Sequence, residues 1–212
     1  FGPTPAEIQK VNTIGVDAWL AEQFALPETA ITNPGGQASS AVQQQYLSRL
    51  TTAQDQLRQR VAYALSQIIV VSMNKNIYPD EIVPFLQILS ANAFGNYRTL
   101  LGQISTSSQM GKYLDIANSN KPTPGASANE NYARELMQLF SIGLVELNAD
   151  GTPKLDAQNQ TIPTYDQTTV QQVALALTGW TYIGANNNNW ENFTGPLQPK
   201  DANHDMRAKS FL

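Results

Sequence analysis

The chain has 212 residues, of which 42% are hydrophobic and only 14% are charged, and its formal net charge is −4. It contains no Cys, which excludes disulfides, thiolate nucleophiles and Cys-ligated zinc. Because this acidic balance supplies no basic patch to neutralise phosphates, we expect no nucleic-acid partner. No stretch approaches the roughly 20 apolar residues that a bilayer crossing needs, so we expect no membrane span.

Helical signals fill the first half of the chain. Thr4-Pro5-Ala6-Glu7 is a capping box with Pro at the first helical position, and Gly15 ends that short helix. A second helix is predicted over residues 16–25, and the Pro- and Gly-rich segment 27–37 is a loop. Apolar spacing predicts further helices over residues 38–50, 52–73, 80–93, 97–104 and 110–116.

The stretch from residue 128 to residue 147 is the one around which the rest of the chain is organised. Ser127 and Glu130 have the spacing of a second capping box, and Gly143 is the predicted stop. We expect this helix to be central and partly buried, because its apolar side chains fill one wide arc: Tyr132, Ala133, Leu136, Met137, Leu139 and Phe140.

Turn signals follow the central helix. Asn148-Ala149-Asp150-Gly151 is a strong one and Gln158-Asn159-Gln160 a weaker one, so short extended pieces between them form a small hairpin-like insertion. Residues 164–167 cap another helix that Gly179 ends, and residues 184–199 are irregular. The sequence therefore predicts an all-α fold, an irregular multi-helix domain with this insertion, as a single domain over residues 1–212.

Charged residues in the first turns of the central helix are the sharpest functional candidates. Glu130 or Glu135, if partly buried, can act as a general acid or base. The alternative is a structural cluster of Glu130, Arg134 and Glu135, since Glu130 and Arg134 are spaced as an i,i+4 ion pair. The two carboxylates lie about 140° apart around the helix, which disfavours a catalytic pair formed by this helix alone.

His204 is the only His, so a site with several His ligands is excluded within this chain. With Asp205 beside it and Lys209 nearby, it is a candidate base or substrate contact. No Gly-x-Ser-x-Gly elbow accompanies it. The alternative is a loop His that bonds locally.

Two further patterns are candidates for ligand binding. Asn148 and Asp150 alternate oxygen ligands before Gly151, as the first half of a calcium loop does, although Ala157 occupies the position of the bidentate Glu. A plain turn is the alternative, so we expect no cofactor apart from calcium at this position. Trp180 and Trp190 flank an Asn-rich segment and are candidates for stacking on sugar rings, with a core role as the alternative.

Several segments together resemble a bacterial family known as domain-of-unknown-function family 1800. The order and spacing agree over nearly the whole chain, with Ala128 where the family usually has Pro. The segments are Phe1-Gly2-Pro3-Thr4, residues 55–67, Asn92-Ala93-Phe94-Gly95-Asn96-Tyr97-Arg98, residues 110–115, Asn129-Glu130-Asn131-Tyr132-Ala133-Arg134-Glu135-Leu136, Ala176-Leu177-Thr178-Gly179-Trp180, His204-Asp205 and Lys209-Ser210-Phe211-Leu212.

The resemblance implies a compartment rather than a mechanism, because the family has no established activity. It implies an exported protein, often carrying a twin-arginine-type signal, whose gene neighbours that of an exported sulfatase-like protein. It also implies that the chain is the N-terminal part of a longer domain. The start at Phe1 without Met agrees with removal of a preceding segment.

Two functions from different classes follow. The first is an exported protein of the cell envelope or the extracellular space with an assembly role, binding the sulfatase-like neighbour or further copies of itself. The alternative is a hydrolytic enzyme that acts on an extracellular polymer such as a glycan, with carboxylates from different helices. In that case Glu130, Glu135, Asp115 and His204 have to meet in one cleft.

Overall fold

A computed structural model of the chain describes residues 2–36, 39–184 and 191–211. These residues form nine α-helices and one two-stranded antiparallel pair, so the prediction of an all-α fold with a small hairpin is confirmed. The helices are α1 (Pro5–Ile14), α2 (Val16–Ala25), α3 (Ser40–Thr52), α4 (Gln56–Ile68), α5 (Pro79–Ala91), α6 (Tyr97–Thr106), α7 (Ser108–Tyr113), α8 (Asn131–Gln138) and α9 (Gln167–Ala176), and the strands are β1 (Trp180–Thr181) and β2 (Gln198–Pro199).

The chain divides into two compact units, Phe1–Ile104 and Ser105–Leu212. We call them unit 1 and unit 2. The prediction that residues 1–212 form a single domain stays a prediction. Among the described residues, no helix has both the length and the hydropathy needed to cross a bilayer, which agrees with the expectation of no membrane span.

Unit 1 is built from helices whose ends are set by local chemistry. The Thr4 hydroxyl accepts from the Glu7 backbone N–H, as the capping-box spacing predicts, and Gly15 follows the last residue of α1. The helix predicted over residues 52–73 is shorter at both ends, because α4 runs from Gln56 to Ile68, with the buried Asp55 as its N-terminal flanking residue. α4 packs against α3 and α5, and the core is formed by apolar side chains such as Ile69, Val83 and Leu89.

Unit 2 is centred on α8 and α9, which pack against each other. The core between them consists of Ala128, Ala133, Met137, Val170, Val173 and Ala174, with Tyr165, Leu175 and Leu177 packed against it. The helix that the sequence places at the centre is therefore buried on one face. Asp166 caps α9 by accepting from the Thr169 backbone N–H at 2.7 Å.

The central helix is shorter than the sequence predicts. α8 begins at Asn131 with Glu130 as its N-cap residue, so the expected Ser127 capping box does not form. It ends at Gln138, and the next residue, Leu139, is 51% exposed rather than part of the buried arc. Gly143 still terminates the segment, because it has a φ of +76° and its N–H donates to the Met137 carbonyl at 2.9 Å.

The predicted hairpin-like insertion is a closed set of three short segments, residues 144–147, 153–155 and 161–164, which we call the three-segment insertion. Each segment pairs with both others: the Glu146 N–H donates to Ile162, the Lys154 N–H to Glu146, and the Ile162 N–H to Lys154. Both predicted turns connect these segments.

One side of this insertion carries large apolar side chains that are exposed to solvent, while exposed Leu144 and half-buried Ile162 lie on the opposite side. Residues paired across antiparallel segments share a side, and side chains alternate along each segment. The three pairs are Val145 with Pro163, Leu147 with Pro153, and Leu155 with Thr161. We call these six residues the insertion face. Leu147 and Leu155 are 53% and 50% exposed, and the Glu146–Lys154 ion pair lies on the opposite side.

The segment between residues 184 and 199 is not irregular throughout, because β2 lies at its end. Trp180 pairs with Pro199 and Thr181 with Gln198. Two-residue strands carry too little alternation to be visible in a sequence, since strand patterns need at least four residues.

Candidate functional site

Glu130 and Arg134 form the predicted i,i+4 ion pair at the start of α8, with 2.5 Å between Arg134 Nη2 and Glu130 Oε2. Gln167, at the start of α9, binds both: it accepts from Arg134 at 2.6 Å and donates to Glu130 Oε2 at 3.0 Å. The charge of Glu130 is therefore neutralised by its neighbours. This arrangement links the first turns of α8 and α9, as a structural role requires.

Glu135 does not join that cluster. Its side-chain Oε2 is buried and has no hydrogen-bond partner among the described residues, and its backbone carbonyl accepts from Leu139 and Phe140. The structure thus brings Glu130 and Arg134 together and shows no side-chain hydrogen bond from Glu135 Oε2 to either one, and the cluster of all three residues stays a prediction. The assignment of Glu130 and Glu135 as catalytic residues stays a prediction.

A polar cavity of about 660 Å³ lies in unit 2, between the loop that precedes α8 and the segment around residue 203. We call it the amide cavity. Its lining carries one carboxylate, one ammonium and several amides and hydroxyls: Asp115, Ala117, Asn118, Ser119, Asn120, Lys121, Thr123, Ala126, Ser127, Asn129, Ala202 and Asn203.

Two lining residues of the amide cavity have left-handed backbones. Asp115 has a φ of +60° and Asn118 a φ of +63°, a conformation that Asp and Asn tolerate better than other side chains. Hydrogen bonds hold both: Asn131 Nδ2 donates to Asp115 Oδ2 at 2.9 Å, and the Thr181 hydroxyl donates to Asn118 Oδ1 at 2.7 Å. The polar atoms of this cavity are therefore fixed in place by the fold.

His204 lines a second, adjoining cavity of about 410 Å³, together with Lys121, Pro122, Asp205, Met206 and Arg207. We call it the His204 cavity. The Nδ1 atom of the His204 ring lies 2.7 Å from the Thr178 backbone carbonyl, which only accepts hydrogen bonds. Nδ1 therefore carries the proton, and in the neutral ring Nε2 is the acceptor. Among the described residues, nothing bonds to Nε2.

Thr178 and Gly179 hold the His204 segment closely. The buried Thr178 hydroxyl accepts from the Asp205 backbone N–H at 2.9 Å. Gly179 lies so near that a Cβ added there would be 2.9 Å from the backbone N and Cα of His204. The Leu-Thr-Gly-Trp and His-Asp segments, distant in sequence, thus form one structural element.

Asp205 is buried and bound by two cations. Arg207 Nε donates to both of its oxygens, at 3.1 and 2.9 Å, and Lys209 Nζ lies 3.6 Å from Oδ1. The hydrogen bond from Arg207 outweighs the opposing effect of burial and holds the pKa of Asp205 well below its usual value. Asp205 is therefore a fixed anion that positions the chain beside His204.

We expect Asp205→Asn to lower stability at pH 7 and to make stability less sensitive to acid. A carboxyl whose pKa is lowered by folding stabilises the folded state above its unfolded pKa, and this contribution is lost as pH falls through its folded pKa. The gap in urea midpoint between parent and variant should therefore narrow as the pH drops below about 4. Asp201→Asn, at an exposed Asp without a side-chain partner in the described structure, is the control. If the difference in urea midpoint between the parent and Asp205→Asn stays constant from pH 7 to pH 2, folding does not lower the pKa of Asp205.

Asn148 and Asp150 lie in the first turn of the three-segment insertion. Asp150 Oδ1 accepts from both the backbone N–H and the hydroxyl of Thr152, and Asn148 Nδ2 donates to that hydroxyl. Within the described ranges, no group of three or more His or acidic side chains is placed to hold a metal ion. The oxygens of this turn bind the turn itself, and the calcium suggestion stays a prediction.

Of the two predicted stacking residues, Trp180 lies in β1 and is half-buried, and its carbonyl accepts from the Asn118 N–H at 2.7 Å. Trp190 lies outside the described residues. Trp180 is thus tied by its backbone to the loop that lines the amide cavity, and its stacking role stays a prediction.

Unit 1 also contains a cavity, of about 670 Å³, whose charged groups are largely paired. Lys10 lies 2.5 Å from Glu22, and the Trp19 indole N–H donates to Glu7. The unit 2 cavities differ because Lys121 has no side-chain partner within the part of the chain that the structure describes, and it lines both of them.

Sequence reasoning did not identify Lys121, Asn129 or Asn203 as candidate site residues. The density of amides between residues 118 and 131 was the available signal. These amides line a cavity only because segments about 80 residues apart in the sequence contact each other. One such contact is the 2.8 Å hydrogen bond from the Lys121 N–H to the Asn203 carbonyl.

The fold and these cavities define an all-α protein with a polar cleft in its second unit. The chain belongs to the family described as Protein of unknown function (DUF1800), which it matches over residues 1–212, so the resemblance is confirmed. No curated protein and no solved structure matches it.

Proposed function

We propose that this chain is an exported protein of the cell envelope or the extracellular space, and that its role is assembly through the insertion face. The low charge content, the abundance of amides and the absence of Cys support export, together with the family membership. The observation that carries the assembly role is the exposure of two large apolar side chains, Leu147 and Leu155, on one side of a very small sheet.

The insertion face offers apolar side chains for packing against a partner. Its three segments are held together by backbone hydrogen bonds among Glu146, Lys154 and Ile162. Sheets this small are marginal in water unless an apolar side is covered. Covering Leu147 and Leu155 therefore stabilises both the contact and the insertion.

A second copy of this chain is the occupant that we propose. The insertion face carries no charged side chain, and Glu146 and Lys154 on the opposite side form an ion pair at 3.0 Å. Two copies can thus meet face to face without placing like charges together, in the symmetric arrangement usual for dimers. Because each half-exposed Leu contributes only about 1 kcal/mol on burial, we expect weak association.

The test is sedimentation equilibrium of the purified chain over a wide concentration range. We expect a monomer–dimer equilibrium that the double substitution Leu147→Gln, Leu155→Gln shifts to monomer. Leu47→Gln is the matched control, because Leu47 in α3 is 58% exposed and lies outside the insertion. A chain that stays monomeric at every concentration contradicts the proposal, as does an equal shift in the control.

The alternative, a glycan hydrolase that uses two carboxylates, has weaker support. Such enzymes need a pair of carboxyl groups roughly 5 to 10 Å apart around the scissile bond. Among the described residues that line the amide cavity, Asp115 is the only acidic one, and Glu130 is bound to Arg134 and Gln167. We therefore place assembly first.

A further inference from the structure

We propose that unit 2 binds an anionic saccharide, with a sugar ring in the amide cavity and its acidic group in the His204 cavity. The two cavities share Lys121, and together they offer one region for hydroxyls and another for a negative charge. This inference goes beyond the assembly role and concerns a different surface of the chain.

The amide cavity has the chemistry that sugar hydroxyls require. A hydroxyl both donates and accepts, and a side-chain amide offers both functions within one group. Asn129 uses its Oδ1 to accept from the Asn131 N–H, which leaves its Nδ2 as a donor, and Asn118 likewise keeps Nδ2 while its Oδ1 binds Thr181. Asn120 and Asn203 add further amides to the lining.

Charge determines which way the ligand lies. The Asp115 carboxylate is anchored in the amide cavity by Asn131, so it accepts from a hydroxyl and repels an acidic group. In the His204 cavity, Asp205 is bound by both Arg207 and Lys209, so these three groups together carry one net positive charge. Lys121 adds a cation without a side-chain partner in the described structure, and a carboxylate or sulfate of the ligand is favoured beside it.

His204 contributes a positioned nitrogen to the same cavity. The Thr178 carbonyl holds Nδ1–H, and this contact fixes the ring and leaves Nε2 for the ligand. A neutral His accepts from a hydroxyl at Nε2, and a protonated one donates to the acidic group.

Size and rigidity agree with this ligand. Cavities of about 300 to 1,000 Å³ hold small-molecule ligands, and the two cavities have volumes of about 660 and 410 Å³. The left-handed residues Asp115 and Asn118 are fixed by hydrogen bonds before any ligand arrives. A fixed site loses less conformational freedom on binding, which favours affinity.

The experiment is isothermal titration of the purified chain with a trigalacturonate, with the neutral galactotriose as its uncharged counterpart and with sodium sulfate alone. We expect the trigalacturonate to bind at least about tenfold more tightly than galactotriose, as one charge-assisted hydrogen bond provides. Lys121→Met should reduce this difference, whereas Lys154→Met, at an exposed Lys outside both cavities, should preserve it.

Each of the following results would overturn the proposal: equal affinity for the charged and neutral sugars, equal losses in the two Lys variants, or no saccharide binding. Sulfate that binds as tightly as the trigalacturonate would also overturn it, because the ring would then contribute nothing.

A matched pair of His204 variants separates binding from folding. Asn places its amide nitrogen near Nδ1 and keeps the donor to Thr178, whereas Gln reaches the position of Nε2 and loses that donor. We expect His204→Asn to keep the parent's melting temperature and lose affinity about tenfold, and His204→Gln to retain more affinity despite a lower melting temperature. If His204→Asn binds the trigalacturonate as tightly as the parent does, His204 does not contact the ligand.

Discussion

Gly179→Ala is expected to destabilise the protein by about 3 kcal/mol, since two separate costs add. Gly179 has a φ of +85°, where a side chain costs about 1 to 2 kcal/mol. The new Cβ would also lie 2.7 Å from His204 Cβ and 2.9 Å from its backbone N and Cα. Backbone cannot rotate away as a flexible side chain does, so the contact forces the two segments apart.

Gly179 also hydrogen-bonds to two further segments, so displacing it from the His204 segment should disturb those contacts as well. Its N–H donates to the Ser119 carbonyl at 2.8 Å, and its own carbonyl accepts from the Lys200 N–H at 2.7 Å. One residue thus joins the loop of the amide cavity, the end of β2 and the His204 segment. We expect Gly179→Ala to loosen both cavities of unit 2 as well as lower the urea midpoint.

Gly151→Ala is the matched control, because Gly151 has a φ of +83° and nothing lies within 4 Å of an added Cβ. This variant has only the backbone cost of a side chain at positive φ. Its free energy of unfolding, measured with urea, should therefore be lower than the parent's by about 1 kcal/mol. If Gly179→Ala and Gly151→Ala lower the free energy of unfolding equally, the close contact with His204 does not contribute to the destabilisation.

What the sequence revealed correctly was local chemistry. Thr4 caps α1 and Asp166 caps α9, because a side chain three residues before a backbone N–H reaches it whatever the rest of the fold does. Residues 16–25 form α2 as predicted, since Gly15 and Pro27 bound them. The Glu130–Arg134 pair is also local, at one helical turn.

What the sequence could not reveal depends on contacts between distant segments. Ser127 has the spacing of a cap, yet α8 begins only after Glu130, and Ala128 is buried in the core with α9 residues instead. The cavities arise where Asn118 bonds to Trp180, Lys121 to Asn203 and Gly179 to Ser119. No pattern within a window of ten or twenty residues records such pairings.

Asp55→Asn is expected to destabilise unit 1 by about 3 kcal/mol, because it removes one partner of a buried ion pair. Asp55 is fully buried, and its Oδ2 accepts from the Thr29 N–H at 3.0 Å and from Gln59 Nε2 at 2.9 Å. Arg58 Nε lies 3.8 Å away. These contacts tie α4 to the loop that precedes α3, and the substitution leaves Arg58 without its counter-ion.

The effect of this substitution should depend on pH. Burial raises the pKa of Asp55, but the hydrogen bonds from Thr29 and Gln59 outweigh burial and hold the pKa below its ordinary value. The charged form therefore stabilises the folded state at neutral pH, and this contribution is lost as pH falls below about 4 towards the folded pKa. The difference in free energy of unfolding between the parent and Asp55→Asn should be largest near pH 7.

Hydrogen exchange measured by mass spectrometry locates the loss, since it reports local opening along the chain. Asp55→Asn should speed exchange in α4 and α5 of unit 1. Asp166→Asn is the control, because Asp166 is exposed and Asn retains the cap that its Oδ1 provides to Thr169, so α9 should change little. If Asp55→Asn perturbs α4 no more than Asp166→Asn perturbs α9, the Asp55 carboxylate is not what holds the Thr29 loop against α4.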